Sequence, residues 1–223
     1  MTDCIPVITL DGPAASGKGT IASRVADALG FHYLDSGALY RIATLDALSK
    51  GIDLDDAQAL TAAAQGLSPV FEGGPPPPGA RAGTGAPRPG EGPPAPGRGA
   101  GGPGVRAALL ARQKTAARLP GLVADGRDMG TVVFPEAPLK VFMTATARVR
   151  AERRYCQLLE RGETADLEAL TADLEERDRR DSQRATAPLK PAEDARLLDT
   201  SCMGIEEVVK KVLEWWDETK KLS

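Results

Sequence analysis

The sequence predicts an α/β protein in which five short strands form a parallel sheet flanked by helices. Two observations support this fold class. The strand-like runs are short, apolar and rich in β-branched residues, and they alternate with helix-like segments along most of the 223 residues. Right-handed crossovers between parallel strands then fix most of the topology. A chain of this length is expected to bury a substantial core.

The five strands are predicted at 6–10, 31–35, 121–125, 139–145 and 195–200. Helical spacing of apolar residues predicts helices over 18–30, 36–51, 54–67, 106–119, 146–162, 165–184 and 205–222. Ser36 is placed to cap the second helix. In the last helix the apolar residues from Ile205 to Trp216 are predicted to form one stripe, so we interpret both tryptophans as packing residues.

Composition excludes several classes of function. The net charge is −3, and no apolar run approaches the roughly 20 residues that span a bilayer. We therefore expect neither a nucleic-acid partner nor a membrane partner. Three cysteines without metal-like spacing indicate free thiols in a reducing compartment. The expectation is a cytoplasmic protein that acts as a monomer on a small-molecule substrate.

One segment departs from the alternation of strands and helices. From Gly73 to Gly104, 22 of the 32 residues are glycine or proline, and no apolar residue is larger than alanine or proline. Such a composition buries too little surface to offset its ordering entropy. We therefore divide the chain into a core, 1–71 and 105–223, and a segment at 72–104 that we expect to be disordered.

The segment DGPAASGKGT at 11–20 joins the first strand to the first helix. It matches the pattern G-x-x-x-x-G-K, in which backbone N–H groups and a helix N-terminus bind phosphate. Lys18 supplies a mobile cation for the β- and γ-phosphates, and Thr20 offers a hydroxyl near Mg²⁺. The predicted triphosphate-binding residues are Gly12, Pro13, Ala14, Ala15, Ser16, Gly17, Lys18, Gly19 and Thr20.

Arginines are concentrated where a second anionic substrate is expected. A phosphate monoester is already anionic, so bringing it to a triphosphate requires positive charge and alignment. Arg127 and Asp128 follow the third predicted strand, at the edge where open α/β sheets bind ligands. Arg177, Asp181 and Arg184 are spaced i, i+4 and i+7, which predicts that one helix face carries all three.

Four segments stand in a consistent order: ITLDGPAASGKGT, LDSGALYR, ADGRDMGTVVFP and ERDRRDSQRATAPL. Together they resemble the bacterial cytidylate kinases, a family of P-loop nucleoside monophosphate kinases in which glycine commonly follows the loop lysine. The resemblance implies the fold of that family, with ATP and Mg²⁺ as ligands. It also implies transfer of the γ-phosphate of ATP to CMP or dCMP, giving CDP or dCDP, in pyrimidine nucleotide metabolism.

The resemblance further implies a set of acceptor-binding residues. The resemblance places Ser36, Arg41, Arg127 and Arg184 around the monophosphate. It places Arg106 and Asp128 at the cytosine, and Arg177 and Asp181 at the sugar hydroxyls. General chemistry supports this assignment of Asp128. A carboxylate accepts a hydrogen bond from the 4-amino group of cytosine, and uracil lacks that group. Arginine forks likewise suit phosphate oxygens.

A lid over the phosphates is expected around 148–165. Arg150, Arg153 and Arg154 lie on the helix predicted after the fourth strand and are assigned to this lid, with Arg153 and Arg154 at ATP. Residue spacing alone leaves open which of the lid arginines reaches the γ-phosphate. Closure of the lid would exclude water and limit wasteful ATP hydrolysis. The residues expected to act on the transferred phosphate are Lys18, Arg127, Arg177 and Arg184.

The resemblance fails over 72–104. There the family carries a small monophosphate-binding insert with a serine that helps grip cytosine, whereas this chain has no serine between Ser68 and Ser182. We hypothesise that the tract is read out of frame in a GC-rich gene; a natural disordered insertion is the alternative. Either origin predicts weakened CMP affinity and poorer discrimination against UMP.

Two further functions stay open at the level of sequence. A P-loop kinase for another small acceptor would keep the triphosphate loop, although the arginine and aspartate groups argue against it. A nucleotide-binding protein with impaired catalysis is the second alternative, because the aberrant segment at 73–104 replaces part of the acceptor site. Turnover measured with several nucleoside monophosphates separates these functions.

Overall fold

The computed structural model describes residues 5–67 and 102–222. The strands are β1 (Val7–Asp11), β2 (His32–Asp35), β3 (Leu122–Gly126), β4 (Leu139–Thr144) and β5 (Arg196–Asp199). The helices are α1 (Lys18–Leu29), α2 (Ser36–Ser49), α3 (Ala57–Gln65), α4 (Pro103–Thr115), α5 (Ala147–Leu159), α6 (Leu167–Gln183) and α7 (Ile205–Leu222). Of the glycine- and proline-rich segment predicted at 72–104, residues 72–101 lie outside the described residues, and 102–104 lie at the start of α4.

The five strands are parallel and stand in the order β2-β3-β1-β4-β5, which confirms the predicted fold class. β1 is the central strand, and its last residue, Asp11, lies opposite Gly126 of β3 and Phe142 of β4. The segments that follow β1 and β3 therefore leave neighbouring strands at the same edge. Open α/β sheets bind ligands at this carboxyl edge.

Helices cover both faces of the sheet. On one face Ile8 of β1 belongs to an apolar cluster with residues of α1 and α7, among them Val212. On the other face Val7 of β1 belongs to a cluster that includes Leu39 of α2. Neighbouring strand residues join different clusters because successive side chains point to opposite faces. The three central strands, β3, β1 and β4, are thus buried on both sides, as their near-continuous apolar residues require.

Most helix boundaries differ from the predicted ones by a few residues, and α2 and α4 show why. The cap of α2 is Asp35, whose carboxylate accepts from the Ala38 amide at 2.8 Å, and Ser36 is the first helical residue. The prediction was one residue late because serine and aspartate both cap helices well. Helix α4, predicted at 106–119, begins at Pro103 and ends at Thr115. Proline fits the first turn of a helix, where its missing N–H costs nothing.

Helix α7 packs its apolar side on the sheet, with Val212 and Trp216 buried. Ile205, predicted on the same stripe, is 48% exposed. Trp215 lies under the Arg196 guanidinium, 5.3 Å from the ring centroid, and near the Lys211 ammonium at 5.6 Å. Both tryptophans therefore have packing roles, as predicted. Within the described ranges no helix combines the length and apolarity that crossing a membrane requires.

Candidate active site

The loop between β1 and α1 has the geometry of a phosphate-binding loop. Gly12, Ala15 and Gly17 have φ values of 153°, 58° and 85°, which bend the loop around its own backbone. The N-cap of α1 is Gly17, which has no side chain that could accept from the first N–H groups of the helix. The first-turn N–H groups of α1 therefore face the loop as potential anion donors.

Gly12 lies in close contact with the backbone of the neighbouring strand β4. A Cβ at Gly12 would lie 2.3 Å from the carbonyl oxygen of Met143 on β4. We expect Gly12→Ala to lower the free energy of unfolding by about 2 kcal/mol, because both the contact and the backbone conformation become strained. Urea unfolding followed by circular dichroism measures this loss.

Gly51 provides the matched control for this substitution. It also has positive φ, 67°, but no described atom lies within 4 Å of an added Cβ. We expect Gly51→Ala to lower the free energy of unfolding by about 1 kcal/mol, through backbone strain alone. Equal losses in the two variants would contradict the role of close approach at Gly12.

Lys18 lies at the centre of the loop. Its side chain is buried, and its ammonium donates to the Pro13 carbonyl at 3.0 Å. Burial lowers the pKa of Lys18, and the guanidinium groups of Arg127 and Arg177 lower it further, while Asp125 opposes them. A bound polyanion would oppose these effects and favour the charged ammonium.

Asp125, the fourth residue of β3, was not among the predicted site residues. Tyr33 of β2 donates its hydroxyl to Asp125 Oδ1 at 3.0 Å. A Cβ at Gly19 would lie 3.3 Å from the Tyr33 hydroxyl and 3.6 Å from Asp125 Oδ2, which explains the small residue after Lys18. Burial raises the pKa of Asp125, and Asp35 raises it further. An aspartate near the end of a buried strand was the signal that the sequence offered.

Three arginines and two aspartates predicted at the acceptor form one network of charges. The Asp128 carboxylate lies 3.5 Å from Arg106 and 4.0 Å from Arg184. Asp181 lies 3.9 Å from Arg184 and accepts from Arg127 Nε at 2.8 Å. These residues come from α4, α6 and the segments that follow β3 and α6. The structure thus brings together side chains that are up to 78 positions apart in the sequence.

The other predicted acceptor residues border this network. Arg41 donates to Asp35 at 3.0 Å, and Ser36 is buried so close to Gly126 that a Cβ there would lie 2.6 Å from its hydroxyl. Burial lowers the pKa of Arg177, and the charges of Arg127 and Arg41 act on it in the same direction. Of the predicted acceptor residues, Arg127 and Arg177 therefore lie within electrostatic reach of Lys18 in the phosphate loop.

Buried donors without partners mark both halves of the site. Among the described residues, the buried side-chain atoms that lack a hydrogen-bond partner include Ser16 Oγ, Arg41 Nε and Arg184 Nη2. Buried polar groups are ordinarily satisfied in folded proteins. Phosphate oxygens bound in the loop would satisfy the Ser16 hydroxyl, and those of an acceptor bound at Arg41 and Arg184 would satisfy the two guanidinium atoms.

The arrangement of α6 differs from the predicted one. The helix ends at Gln183, and Arg184 is extended, with a ψ of 139°. The prediction that one helix face carries Arg177, Asp181 and Arg184 is therefore wrong for Arg184. Its guanidinium donates to the Ala187 carbonyl and still reaches Asp181 from beyond the helix end.

The arginines of the predicted lid have partners in the structure. Arg150 is 2% exposed and donates to the carbonyls of Ala14 and Ala145, each at 2.9 Å, and it also pairs with Asp178 of α6. It therefore braces the phosphate loop against α6.

The two lid arginines assigned to ATP make other contacts. Arg153 donates to the Thr200 carbonyl beyond the end of β5. Burial lowers the pKa of Arg154, and the charge of Arg161 lowers it further while Glu163 opposes it. None of these contacts involves the phosphate loop, so the assignment to ATP stays a prediction.

Several proteins similar in sequence to this chain are named cytidylate kinase. The family model described as cytidylate kinase matches residues 8–74 and 97–218. A cytidylate kinase of Paraburkholderia phymatum is 53% identical over 212 residues, which cover 95% of this chain and 92% of that protein. A cytidylate kinase of Burkholderia vietnamiensis is 53% identical over 211 residues, with the same coverage of both chains.

Solved structures with similar folds include small kinases. A gluconokinase from Sinorhizobium meliloti matches with a TM-score of 0.51 and 16% identity, covering 97% of this chain and 95% of that one. A shikimate kinase from Bacteroides thetaiotaomicron matches with a TM-score of 0.50 and 13% identity, covering 96% and 99%. These likenesses support the fold, and the sequence relatives extend along nearly the whole chain. The chain belongs to the cytidylate kinase family.

Proposed function

We propose that this protein transfers the γ-phosphate of ATP to CMP or dCMP, giving ADP and CDP or dCDP. One observation carries the proposal: a glycine-rich phosphate loop adjoins a network of arginines and aspartates at the same edge of the sheet. The reaction requires this combination because two polyanions must be brought together and aligned.

The donor half of the site is proposed to hold the ATP phosphates. The loop from Gly12 to Thr20 offers backbone N–H groups, and the unpartnered Ser16 hydroxyl fits a phosphate oxygen. Lys18 would leave the Pro13 carbonyl for the β- and γ-phosphates. Mg²⁺ would arrive with ATP and take the Thr20 hydroxyl as a ligand, because magnesium prefers oxygen ligands and is commonly bound through substrate phosphates and a few protein oxygens.

The acceptor half is proposed to hold the nucleoside monophosphate. Arg41, Arg127 and Arg184 would bind the phosphate together with Ser36. Arg106 and Asp128 would face the cytosine, and Arg177 and Asp181 the sugar hydroxyls. Burial raises the pKa of Asp128, whereas the guanidinium groups of Arg184 and Arg106 oppose this and favour the carboxylate that accepts from the 4-amino group.

The chemistry needs no general base. A bond forms between a phosphate oxygen of CMP and the γ-phosphorus of ATP, the bond to the β–γ bridging oxygen breaks, and ADP leaves. The acceptor oxygen is already anionic, so the protein supplies alignment and charge neutralisation. Lys18, Arg127, Arg177 and Arg184 are the residues proposed to supply it.

The chain is also proposed to consist of a catalytic core with a lid and to act in the cytoplasm. The catalytic core comprises 1–71 and 105–223, and residues 148–165, with Arg153 and Arg154, close over ATP during turnover. The cytoplasm is the proposed site of action, because Cys156 and Cys202 are exposed free thiols suited to a reducing compartment.

A coupled assay of ADP release tests the proposed function. ATP is supplied with CMP, dCMP, UMP, AMP or GMP, and we expect the highest kcat/KM with CMP or dCMP. A higher value with another monophosphate would indicate a kinase for that acceptor. Binding of ATP without turnover of any acceptor would indicate a nucleotide-binding protein.

A further inference from the structure

Asp11 ends the central strand directly before the phosphate loop, and its carboxylate contacts a distant segment. It is 5% exposed, and its two oxygens accept from the backbone amides of Met129 at 2.9 Å and Gly130 at 2.8 Å. The partners follow Asp11 by 118 and 119 residues. Each carboxylate oxygen thus holds one of two consecutive N–H groups.

These two amides begin a single π-helical turn, Met129–Val133. The residue before the turn, Asp128, makes no side-chain cap hydrogen bond, and its carbonyl accepts from the Val132 amide at 2.9 Å. The first N–H groups of any helical turn need acceptors from outside the turn. Asp11 supplies them from a neighbouring strand, next to the backbone of Asp128.

The same turn also rests on the side of β1. A Cβ at Gly130 would lie 2.9 Å from the Thr9 hydroxyl and 3.2 Å from the Lys140 side chain. Two residues of β1, Thr9 and Asp11, therefore set the position of the turn. The strand that leads into the phosphate loop thus also fixes the backbone that follows Asp128.

Hydrogen bonds from backbone amides hold the Asp11 carboxylate. Within the described part of the chain no ion pair includes Asp11, whereas Asp128 and Asp181 both pair with arginines. Burial raises the pKa of Asp11 to about 6, while the Gly130 and Met129 amides oppose that rise. A carboxylate accepts from both amides at once, whereas asparagine would turn an NH₂ group toward one of them.

We propose that Asp11 is a positioning residue for acceptor recognition. By capping the turn that follows Asp128, it sets the orientation of the Asp128 carboxylate between Arg106 and Arg184, relative to the phosphates bound beside Gly12. This inference rests on the proposed function, because it concerns the geometry between the donor and the acceptor.

The test compares the unsubstituted protein with Asp11→Asn and Gly130→Ala, which perturb the turn from two sides. We expect each variant to raise the KM for CMP about tenfold and to lower the preference for CMP over UMP by about the same factor, as the loss of one buried hydrogen bond would. The KM for ATP should rise less than the KM for CMP, because both substitutions keep the residues from Gly12 to Thr20, although Asp11→Asn also removes a charge that acts on Lys18. A purely structural loss would affect both substrates alike.

Asp199→Asn is the matched control, because Asp199 ends β5 and accepts from the Ser201 amide at 2.9 Å. It should leave both KM values unchanged. Unchanged CMP kinetics in Asp11→Asn, or equal rises in both KM values, would overturn the inference. If Asp11→Asn does not fold, unchanged CMP kinetics in Gly130→Ala would overturn it instead. Lack of CMP turnover by the unsubstituted protein would overturn the proposed function as well.

Discussion

Lys18→Ala is expected to lower kcat by roughly 10³-fold, because the substitution removes the mobile cation from the phosphate loop. The Lys18 ammonium now donates to the Pro13 carbonyl, and bound ATP would offer it the β- and γ-phosphates instead. The coupled assay at saturating CMP and ATP measures kcat. Binding of a fluorescent ATP analogue, measured separately, distinguishes a loss of chemistry from a loss of affinity.

The fold should survive this substitution. Because burial lowers the pKa of Lys18, the charged form is disfavoured at this position in the ligand-free protein. We therefore expect no loss of thermal stability in Lys18→Ala. Lys50→Ala is the control. Lys50 directly follows α2, is half exposed and pairs with Asp46 of that helix at 2.6 Å, so this variant should keep its kcat. A Lys18→Ala protein with kcat close to that of the unsubstituted protein would contradict the assigned role.

Asp128→Asn is expected to lower the ratio of kcat/KM for CMP to that for UMP by about 10²-fold. The carboxylate accepts from the 4-amino group of cytosine, whereas the asparagine NH₂ group can donate to the 4-oxygen of uracil. Arg106 and Arg184 keep an acceptor oxygen in the variant, so the network of charges is altered without leaving a cavity. Kinetics with CMP and UMP as competing acceptors measure the ratio directly.

Asp181→Asn is the matched control for this change. Asp181 belongs to the same network but pairs with Arg127 at 2.8 Å, in the part of the site proposed for the sugar. Its substitution should raise the KM for CMP and UMP together and leave their ratio unchanged. If the CMP-to-UMP ratio of kcat/KM fell in Asp181→Asn and stayed unchanged in Asp128→Asn, Asp181 would be the residue at the base and Asp128 the residue at the sugar.

The fold and the phosphate loop could be predicted because their signals are local. Each strand is a short apolar run, and the loop from Gly12 to Lys18 is a contiguous pattern whose glycines the observed positive φ values require. The types of the acceptor residues could be predicted too, since Arg127 and Asp128 follow a strand. Their pairing with Asp181 and Arg184 depends on the tertiary fold, which residue spacing does not encode.

The features that sequence reasoning missed depend on contacts across the sheet. Tyr33 meets Asp125 across 92 positions, and Asp11 meets Met129 across 118. The π-helical turn has no periodic pattern to reveal it, because its conformation depends on the carboxylate that caps it. Arg150 was expected in a mobile lid because of its position on the helix after the fourth strand, whereas its burial and its partners became visible only in the structure.

Arg150 also constrains how the α5–α6 hairpin can swing. Its guanidinium ties the beginning of α5 to the Ala14 carbonyl and to Asp178, near the end of α6. The beginning of α5 and the last turns of α6 are therefore anchored to the rim of the phosphate loop. Any rearrangement during the catalytic cycle that kept this anchor would leave the beginning of α5 in place and displace only the parts of the hairpin that lie farther from Arg150.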